Sequence, residues 1–180
     1  MIKAYFFDWM HTLGEASDDA RSLLTREQHW SLLTNTLEDA GFPEKLKEEI
    51  DDRLYVAGQW LYSDVEKIIN NLKPNYKLAI VSNMYDITSK KIREQFPEFL
   101  KKFDVITFSA EVGMRKPNPK MFIDTLYKLN QTCQTKILPS EVMMIGDDRE
   151  KDILPALSLG MQTGYINRKE NQKLEDVING

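Results

Sequence analysis

The chain alternates between short runs of apolar residues and longer segments in which apolar residues recur at every third or fourth position. Short apolar runs are typical of strands buried on both faces, and the wider spacing is typical of amphipathic helices. The strands are predicted over residues 4–7, 78–81, 105–108, 142–145 and 162–166. Because helical segments separate them, the pattern predicts an α/β fold with a doubly wound parallel sheet.

The segment between the first two strands is long, and its apolar residues follow a helical period. It predicts one helix over residues 26–40, capped by Thr25, and a second from Pro43 to about residue 60. We expect no strand over residues 14–60, which would form a small helical cap on a core of residues 1–13 and 61–180. Further helices are predicted over residues 63–73, 86–95, 96–103, 120–129 and 150–159, with a short helix or frayed tail over 171–179.

The composition is that of an ordinary globular protein and excludes several classes. Of the 180 residues 29% are charged and 42% are hydrophobic, so neither disorder nor a fibrous structure is indicated. The formal net charge of -4 argues against a nucleic-acid partner, because such proteins usually carry a basic face. The composition leaves the oligomeric state open.

Cysteine content and the apolar segments bear on the cellular location. Cys133 is the only cysteine, so neither an internal disulfide nor a cysteine-based zinc site is possible. The N-terminal residues lack the features of a signal peptide, and no apolar run approaches the length of a membrane span. We therefore expect a cytoplasmic protein without a membrane partner.

Polar side chains follow four of the predicted strands, where the carboxyl ends of a parallel sheet meet at one edge. They are Asp8, Thr12, Ser82, Asn83, Lys116, Asp147, Asp148 and Asp152. Carboxylates can hold Mg²⁺, a lysine and a hydroxyl can bind phosphoryl oxygens, and an aspartate can accept a phosphoryl group covalently. This set of side chains suits phosphoryl transfer. Each residue could instead have a purely structural role, such as capping a turn, and Lys116 could simply be exposed to solvent.

Four segments resemble, in order and at similar spacing, the four motifs of the haloacid dehalogenase-like (HAD) hydrolase superfamily. They are Phe7–Leu13, Val81–Asn83, Val112–Pro119 and Ile145–Asp152. The resemblance spans nearly the whole chain, and the predicted insert falls where a subclass of the family carries a helical cap. It implies a Rossmann-like core and Mg²⁺-dependent hydrolysis of a small phosphorylated metabolite.

The resemblance also implies a role for each motif residue. Asp8 would be the nucleophile that forms an aspartyl phosphate, and Lys116 would neutralise charge and orient Asp8. Mg²⁺ would be held by Asp8, the backbone carbonyl of Met10 and Asp147, with Asp152 in or just behind that shell. The phosphate ligands would be Thr12, Ser82, the backbone amide of Asn83, and Lys116. Asp148 is interpreted as a neighbour of this site and not as a ligand.

Met10 departs from the family pattern. The family's phosphatases carry a second aspartate here, which protonates the leaving oxygen and later deprotonates the attacking water. A thioether cannot transfer a proton, and positioned proton transfer contributes about 10² to 10⁴ in rate. His11 is a possible substitute, because histidine exchanges protons near neutral pH; its alternative is a turn residue with an outward ring. His29 is interpreted as a partly exposed residue of the insert.

Three functions remain open on the sequence. The first is a phosphatase that is slow, or limited to acyl and aryl phosphates, whose leaving groups depart without a strong acid. The second is a catalytically impaired protein that binds a phosphorylated ligand or a protein partner. The third is different chemistry, since the family's dehalogenases and phosphonate-cleaving enzymes also lack the second aspartate. Dehalogenases need no Mg²⁺, so Asp147 and Asp152 argue against that branch, and no lysine of the insert is singled out for a Schiff base.

Overall fold

A five-stranded parallel sheet forms the centre of the computed structural model, which describes residues 1–17 and 20–180. Residues 18 and 19 of the predicted insert therefore lie outside the described part of the chain. The strands are β1 (Ala4–Phe7), β2 (Gly14–Ala16), β3 (Gln59–Leu61), β4 (Lys77–Ser82), β5 (Val105–Phe108), β6 (Val142–Gly146) and β7 (Gln162–Tyr165). The order across the sheet is β5-β4-β1-β6-β7, as in a doubly wound fold.

Strand β1 lies in the middle of this sheet, between β4 and β6. Phe7 is in register with Ile80 on one side and with Ile145 on the other. Successive side chains of a strand point to opposite faces, and those of β1 enter two different hydrophobic clusters, Phe7 one and Phe6 the other. The strand is thus buried on both faces, as its unbroken apolar run predicts.

The helices of the described residues cover both faces of the sheet. They are α1 (Arg26–Leu32), α2 (Glu44–Val56), α3 (Val65–Leu72), α4 (Asp86–Gln95), α5 (Pro97–Leu100), α6 (Ser109–Val112), α7 (Pro119–Gln131), α8 (Leu154–Ser158) and α9 (Leu174–Asn179). Short 3₁₀ turns lie at Arg21–Leu23, Pro139–Glu141 and Arg168–Glu170, and one π-helical turn lies at Arg149–Ile153. None of the helices described is both long and apolar enough to cross a membrane.

The expectation that residues 14–60 contain no strand is wrong. Strands β2 and β3 pair antiparallel, with Gly14 opposite Leu61 and Ala16 opposite Gln59. Helix α2 therefore ends at Val56 and not near residue 60, and Gly58 leads the chain into β3. Strands of three residues show too little alternation to be recognised in the sequence. The antiparallel pair of β2 and β3 joins the two ends of the insert. The division of the chain into core and insert stays a prediction.

Helix α1 is shorter than the predicted helix over residues 26–40. It begins as expected, since Thr25 and Gln28 form a reciprocal capping box, but it ends at Leu32. Beyond that point Thr34 Oγ1 and Asn35 Nδ2 donate to the carbonyl oxygen of Ser31, at 3.2 and 2.9 Å. Such side-chain bonds compete with helical backbone bonds, which explains the early end.

The predicted helix over residues 150–159 begins instead as a π-helical turn. The Asp148 carbonyl oxygen accepts from the N–H groups of Asp152 (2.8 Å) and Ile153 (3.4 Å). Pro155 follows and has no N–H to donate to the carbonyl of Lys151, so the regular ladder cannot form there. The wide turn brings Asp152 beneath the end of β6, and α8 continues from Leu154.

The insert has a hydrophobic cluster of its own. Leu32 and Leu37 pack with Ile50 and Leu54 of α2, and all four side chains are buried. Tyr85, at the start of α4, belongs to the same cluster. Helices α1 and α2 are therefore held together by their own apolar contacts and rest on the core through the start of α4.

Candidate active site

Asp8 directly follows β1, at the carboxyl edge of the central strand. Its N–H donates to the carbonyl oxygen of Ile145 (2.9 Å), which continues the sheet by one further bond and fixes the backbone of Asp8. Its side chain is largely buried, and Oδ1 lies 2.8 Å from Nζ of Lys116. The structure thus brings together the two residues that the sequence places at the centre of the site.

Lys116 is completely buried and lies between two carboxylates. Its Nζ is 2.5 Å from Asp152 Oδ1 as well as 2.8 Å from Asp8 Oδ1. The second oxygen of Asp152 accepts from the N–H of Asp148 at 3.1 Å. A Cβ atom on Gly146 would lie 2.2 Å from this oxygen, so only glycine leaves room for Asp152. A buried charge of this kind is stable only when it is paired, and Lys116 is paired twice.

Three carboxylates meet around this lysine. Asp8, Asp147 and Asp152 each offer an oxygen, and these oxygens lie within 4.8 Å of one another. Hard cations such as Mg²⁺ bind through carboxylate oxygens, often one or two per site. The donor set of this cluster therefore fits a divalent cation.

The cluster is buried and has more negative than positive charge. Both properties raise the pKa values of the carboxyl groups of Asp147 and Asp152. Burial raises the pKa of Asp147 to about 6, and the charge of Asp8 adds to the effect. Burial also raises the pKa of Asp152 to about 7, although Lys116 opposes it. Burial alone would lower the pKa of Lys116, but the charges of Asp152 and Asp8 outweigh it and raise that pKa. Lys116 therefore stays protonated, while the carboxylates compete for protons.

The raised carboxyl pKa values predict that the metal-free protein is more stable at pH 5 than at pH 8. Asp147 and Asp152 retain protons in the folded state at pH values where the unfolded chain has lost them. Their stabilising contribution is complete below the ordinary value of 3.8 and is lost as the pH rises through about 6 and about 7. Melting temperatures in chelator-treated buffer should fall across this range, and Asp147→Asn should make the fall shallower. A melting temperature that rises from pH 5 to pH 8 would contradict the prediction.

Two buried hydroxyls near this cluster have no hydrogen-bond partner in the described part of the protein. They are Ser82 Oγ, at the end of β4, and Thr12 Oγ1, in the turn after Asp8. Leaving a buried hydroxyl unpaired costs about 1 to 3 kcal/mol. A phosphoryl oxygen would satisfy them, which suits the phosphate-binding role expected for both residues.

Asn83 braces the site in a way that the sequence did not indicate. Its Oδ1 accepts from the N–H of Lys116 (2.7 Å), and its Nδ2 donates to the carbonyl oxygen of Lys116 (2.9 Å). The side chain of Asn83 therefore fixes the backbone from which Lys116 reaches the cluster. The role expected for its backbone amide stays a prediction.

Met10 and His11 lie in the turn beyond Asp8. Met10 is half-buried and packs against the main core cluster. His11 has a positive φ of 57°, and its Nδ1 lies 2.6 Å from Glu15 Oε2. Tyr62 OH donates to the same oxygen at 2.9 Å, and burial together with this bond raises the pKa of Tyr62 to about 12. The ring of His11 is therefore oriented by Glu15, which the sequence did not single out.

Arg168 is a second residue that sequence reasoning missed. It follows β7 and donates through Nη2 to the carbonyl oxygen of Thr12 (2.7 Å) and through Nη1 to Asp64 Oδ1 (2.9 Å). It thereby ties the turn after Asp8 to the start of α3. The signal available in the sequence was a cation just after the fifth predicted strand. Asp148, as expected, is no member of the cluster: its side chain accepts from the N–H groups of Glu150 and Lys151.

The fold matches solved structures over nearly the whole chain. A HAD family enzyme from Bacteroides thetaiotaomicron, in complex with magnesium and inorganic phosphate, aligns with a TM-score of 0.77 at 18% identity over 98% of each chain. A HAD phosphatase from Thermococcus onnurineus aligns with a TM-score of 0.62 at 24% identity over 96% of this chain and 90% of that one. The predicted α/β fold with a Rossmann-like core is confirmed.

Related sequences of named activity include two phosphatases. Pyrimidine 5'-nucleotidase YjjG of Escherichia coli is 30% identical over 110 residues, 61% of this chain and 46% of its own length. The chain thus spans about half the length of that relative. A glyceraldehyde 3-phosphate phosphatase of Methanothermobacter thermautotrophicus is 26% identical over 215 aligned positions, 99% of this chain and 91% of its own length. The sequence model of the haloacid dehalogenase-like hydrolase family matches residues 2–160 of the chain. The chain therefore belongs to this family of hydrolases.

Proposed function

We propose that the protein is a Mg²⁺-dependent phosphohydrolase that acts on a small phosphorylated metabolite through an aspartyl phosphate on Asp8. The observation that carries this proposal is the position of Lys116, buried within 2.8 Å of Asp8 and 2.5 Å of Asp152. A buried ammonium beside a carboxylate balances its charge and fixes its orientation, as a nucleophile requires. The unpartnered hydroxyls of Ser82 and Thr12 support a phosphate site beside it.

The proposed reaction has two steps. First, a carboxylate oxygen of Asp8 attacks phosphorus, and the bond from phosphorus to the leaving oxygen breaks, with the electron pair going to that oxygen. Second, water attacks the phosphorus of the aspartyl phosphate, and the bond to Asp8 breaks to release inorganic phosphate. A bound Mg²⁺, held by Asp8, the backbone carbonyl of Met10 and Asp147 with Asp152 behind them, would supply positive charge to the phosphoryl oxygens.

The relatives support a small phosphorylated substrate. The curated sequences named above act on glyceraldehyde 3-phosphate and on pyrimidine 5'-nucleotides. The magnesium and phosphate bound to the Bacteroides thetaiotaomicron enzyme support the choice of cofactor. Within this proposal residues 14–60 act as the helical cap over a core of residues 1–13 and 61–180, and the cytoplasm is the compartment that suits such a substrate.

Hydrolysis of an aryl phosphate, assayed with and without Mg²⁺, tests the proposal. Aryl oxygens leave without a strong acid, so this substrate bypasses the missing aspartate at position 10. We expect turnover with Mg²⁺ and its loss in excess chelator, followed by recovery when Mg²⁺ is restored. Equal turnover with and without Mg²⁺ would contradict the proposed cofactor.

His11 is proposed as a partial substitute for the missing proton donor. The observation that favours it is the 2.6 Å contact of its Nδ1 with Glu15 Oε2, which fixes the ring. His11 also borders a cavity together with Asp147, so the imidazole lies on the side of the carboxylate cluster. A histidine oriented by a carboxylate can act as a general acid or base. Because the ring of His11 is half-exposed and only partly replaces a positioned proton donor, we expect a slow enzyme.

Met10→Asp is expected to raise turnover of alkyl phosphates about tenfold or more, the low end of what positioned proton transfer contributes. Steady-state rates on an alkyl and an aryl phosphate provide the measurement, because the gain should be much smaller for the aryl compound. Met10→Asn is the matched control, since its side chain has a similar shape and cannot transfer a proton at neutral pH. Equal rates for the two variants would mean that the proton donor is not the limiting defect.

A binding function is the second candidate, and Met10 is the observation that favours it. A protein without a proton donor could retain phosphate and Mg²⁺ while turning over nothing. In that case a phosphate mimic with Mg²⁺ would raise the melting temperature of the wild type, since ligands that bind only the folded state stabilise it. Absence of hydrolysis on a phosphorylated-metabolite panel, together with this shift, would favour binding over catalysis.

A further inference from the structure

Arg168 makes a double contact with the turn that follows Asp8. Its Nε and Nη2 atoms both donate to the carbonyl oxygen of Thr12, at 3.1 and 2.7 Å. A guanidinium group is planar and rigid, so two of its N–H groups on one oxygen fix the direction of that carbonyl as well as its position. The contact joins residues that are 156 positions apart in the sequence.

The guanidinium group of Arg168 is itself fixed by several neighbours. Its Nη1 donates to both carboxylate oxygens of Asp64 (2.9 and 3.0 Å) and to the carbonyl oxygen of Gln172 (3.1 Å). Its Cζ lies 4.4 Å from the centroid of the Tyr62 ring. Asp64 Oδ2 also accepts from the N–H of Leu174 at 2.8 Å, which fixes the carboxylate. Arg168 therefore cannot follow a movement of the turn without losing contacts elsewhere.

Burial and charge balance indicate what Arg168 contributes. Its side chain is 7% exposed and that of Asp64 is 14% exposed, so both charges are largely removed from water. A buried charge is stable only when it is paired, and Asp64 neutralises Arg168. The pair therefore adds little net positive charge to its surroundings. Its contribution is the direction of the Thr12 carbonyl.

The backbone bonds of the turn and the side chain of Arg168 engage different atoms of Thr12. The carbonyl oxygen of Trp9 accepts from the N–H groups of Thr12 and Gly14, at 3.2 and 2.9 Å. These bonds engage the N–H of Thr12, and the two bonds from Arg168 engage its carbonyl oxygen. Arg168 therefore restricts rotation of the peptide group that follows Thr12.

The hydroxyl of Thr12 depends on this backbone geometry. Thr12 Oγ1 is buried and has no hydrogen-bond partner in the described part of the protein. Threonine is branched at Cβ and has few side-chain rotamers, so the direction of its hydroxyl follows the backbone closely. Hydrogen bonds weaken steeply when they are misaligned. A rotation of the Thr12 backbone would therefore weaken any bond that its hydroxyl makes to a ligand.

We infer that Arg168 is a positioning residue for phosphate binding. It fixes the backbone of Thr12 so that the Thr12 hydroxyl is directed at a phosphoryl oxygen of the substrate and of the inorganic phosphate product. Arg168 acts through Thr12 and does not contact the phosphate itself. This inference rests on the proposed phosphohydrolase function, and it assigns a role to a residue outside the four segments that resemble the family motifs.

A double-mutant cycle on the full chain with Mg²⁺ tests the inference. Calorimetry measures the dissociation constant of inorganic phosphate for the wild type, Arg168→Met, Thr12→Val and the double variant. Each single variant should raise this constant about five- to tenfold, as expected for one hydrogen bond. In the Thr12→Val background Arg168→Met should change it less than about twofold, since the hydroxyl is already absent. KM for an aryl phosphate should follow the same pattern. Additive effects would overturn the inference.

Arg168→Lys keeps the positive charge beside Asp64 and so provides a second test where Arg168→Met folds poorly. A lysine ammonium is a point charge and does not reproduce the planar pair of donors on the Thr12 carbonyl. We expect the dissociation constant of inorganic phosphate to rise at least about threefold in Arg168→Lys, and this rise should also disappear in the Thr12→Val background. Wild-type phosphate affinity in Arg168→Lys would overturn the inference.

Asp104→Asn is the matched control for a loss of stability. Asp104 precedes β5 at the amino edge of the sheet and pairs with Lys73 and Lys77, at 2.8 and 2.9 Å. Its substitution should lower the melting temperature and leave the dissociation constant of inorganic phosphate unchanged. A rise equal to that in Arg168→Met would show that lost stability alone weakens phosphate binding, and would overturn the inference.

Failure of the inference can be distinguished from failure of the proposed function. If the wild type neither binds inorganic phosphate nor hydrolyses an aryl phosphate, both are overturned. If hydrolysis depends on Asp8 but the phosphate affinity does not depend on Arg168 through Thr12, the inference alone is overturned.

Discussion

Asp8→Asn is expected to lower aryl phosphate hydrolysis by at least about 10³-fold, because the amide that replaces the carboxylate is a very poor nucleophile. The fold should survive, since asparagine has nearly the same shape and Lys116 keeps Asp152 as a partner at 2.5 Å. Removing the charge of Asp8 should also lower the pKa of Asp147, which that charge raises. The measurement is the rate under single-turnover conditions with Mg²⁺, together with the melting temperature.

Asp148→Asn is the matched control for this substitution. Asp148 is an aspartate of the same edge of the sheet, but its side chain caps the turn that follows β6 instead of joining the cluster. Asparagine caps helices about as well as aspartate, so this variant should retain most of the activity. Full activity in Asp8→Asn, or equal losses in both variants, would remove Asp8 from the mechanism.

Strands β1, β4, β5 and β6 were predictable because each contains a short apolar run. Residues 105–108 form β5 as predicted, and Ser82 and Asp8 lie at the strand ends where the apolar runs stop. Strands β2 and β3 were missed because they form through pairing between distant segments of the chain. Residues 14–16 become a strand only because residues 59–61 pair with them, and nothing local in either segment indicates that contact.

The candidate site was likewise predictable from the sequence only in part. Its charged members were predictable from their place after buried strands, and the structure brings Lys116 between Asp8 and Asp152. The supporting contacts were not predictable, because they depend on side-chain geometry between distant parts of the chain. Glu15 orients His11, and Arg168 reaches a carbonyl oxygen 156 residues earlier in the sequence. Local composition carries no trace of such pairings.

Lys116→Met is expected to abolish hydrolysis and to destabilise the protein strongly at pH 8. Methionine has a similar length but no charge, so Asp8 and Asp152 would face each other without the ammonium now 2.8 and 2.5 Å away. Breaking a buried ion pair by removing one partner costs about 3 to 5 kcal/mol in the free energy of unfolding. Chemical denaturation at pH 8 provides the measurement.

The destabilisation by Lys116→Met should be smaller at pH 5, because the carboxylates can then bind protons in place of the lost lysine. Without Lys116 the pKa of Asp152 rises further, since that charge now opposes the effect of burial. Lys73→Met is the matched control: Lys73 pairs with Asp104 at 2.8 Å near the surface, and Lys77 remains as a second partner. Pairs of this kind contribute about 0 to 1 kcal/mol, so the control should lose little stability at either pH. If Lys116→Met were as stable as the wild type at pH 8, the ion pairs of Lys116 with Asp8 and Asp152 would contribute nothing to stability, and the proposal that Lys116 orients Asp8 would lose its support.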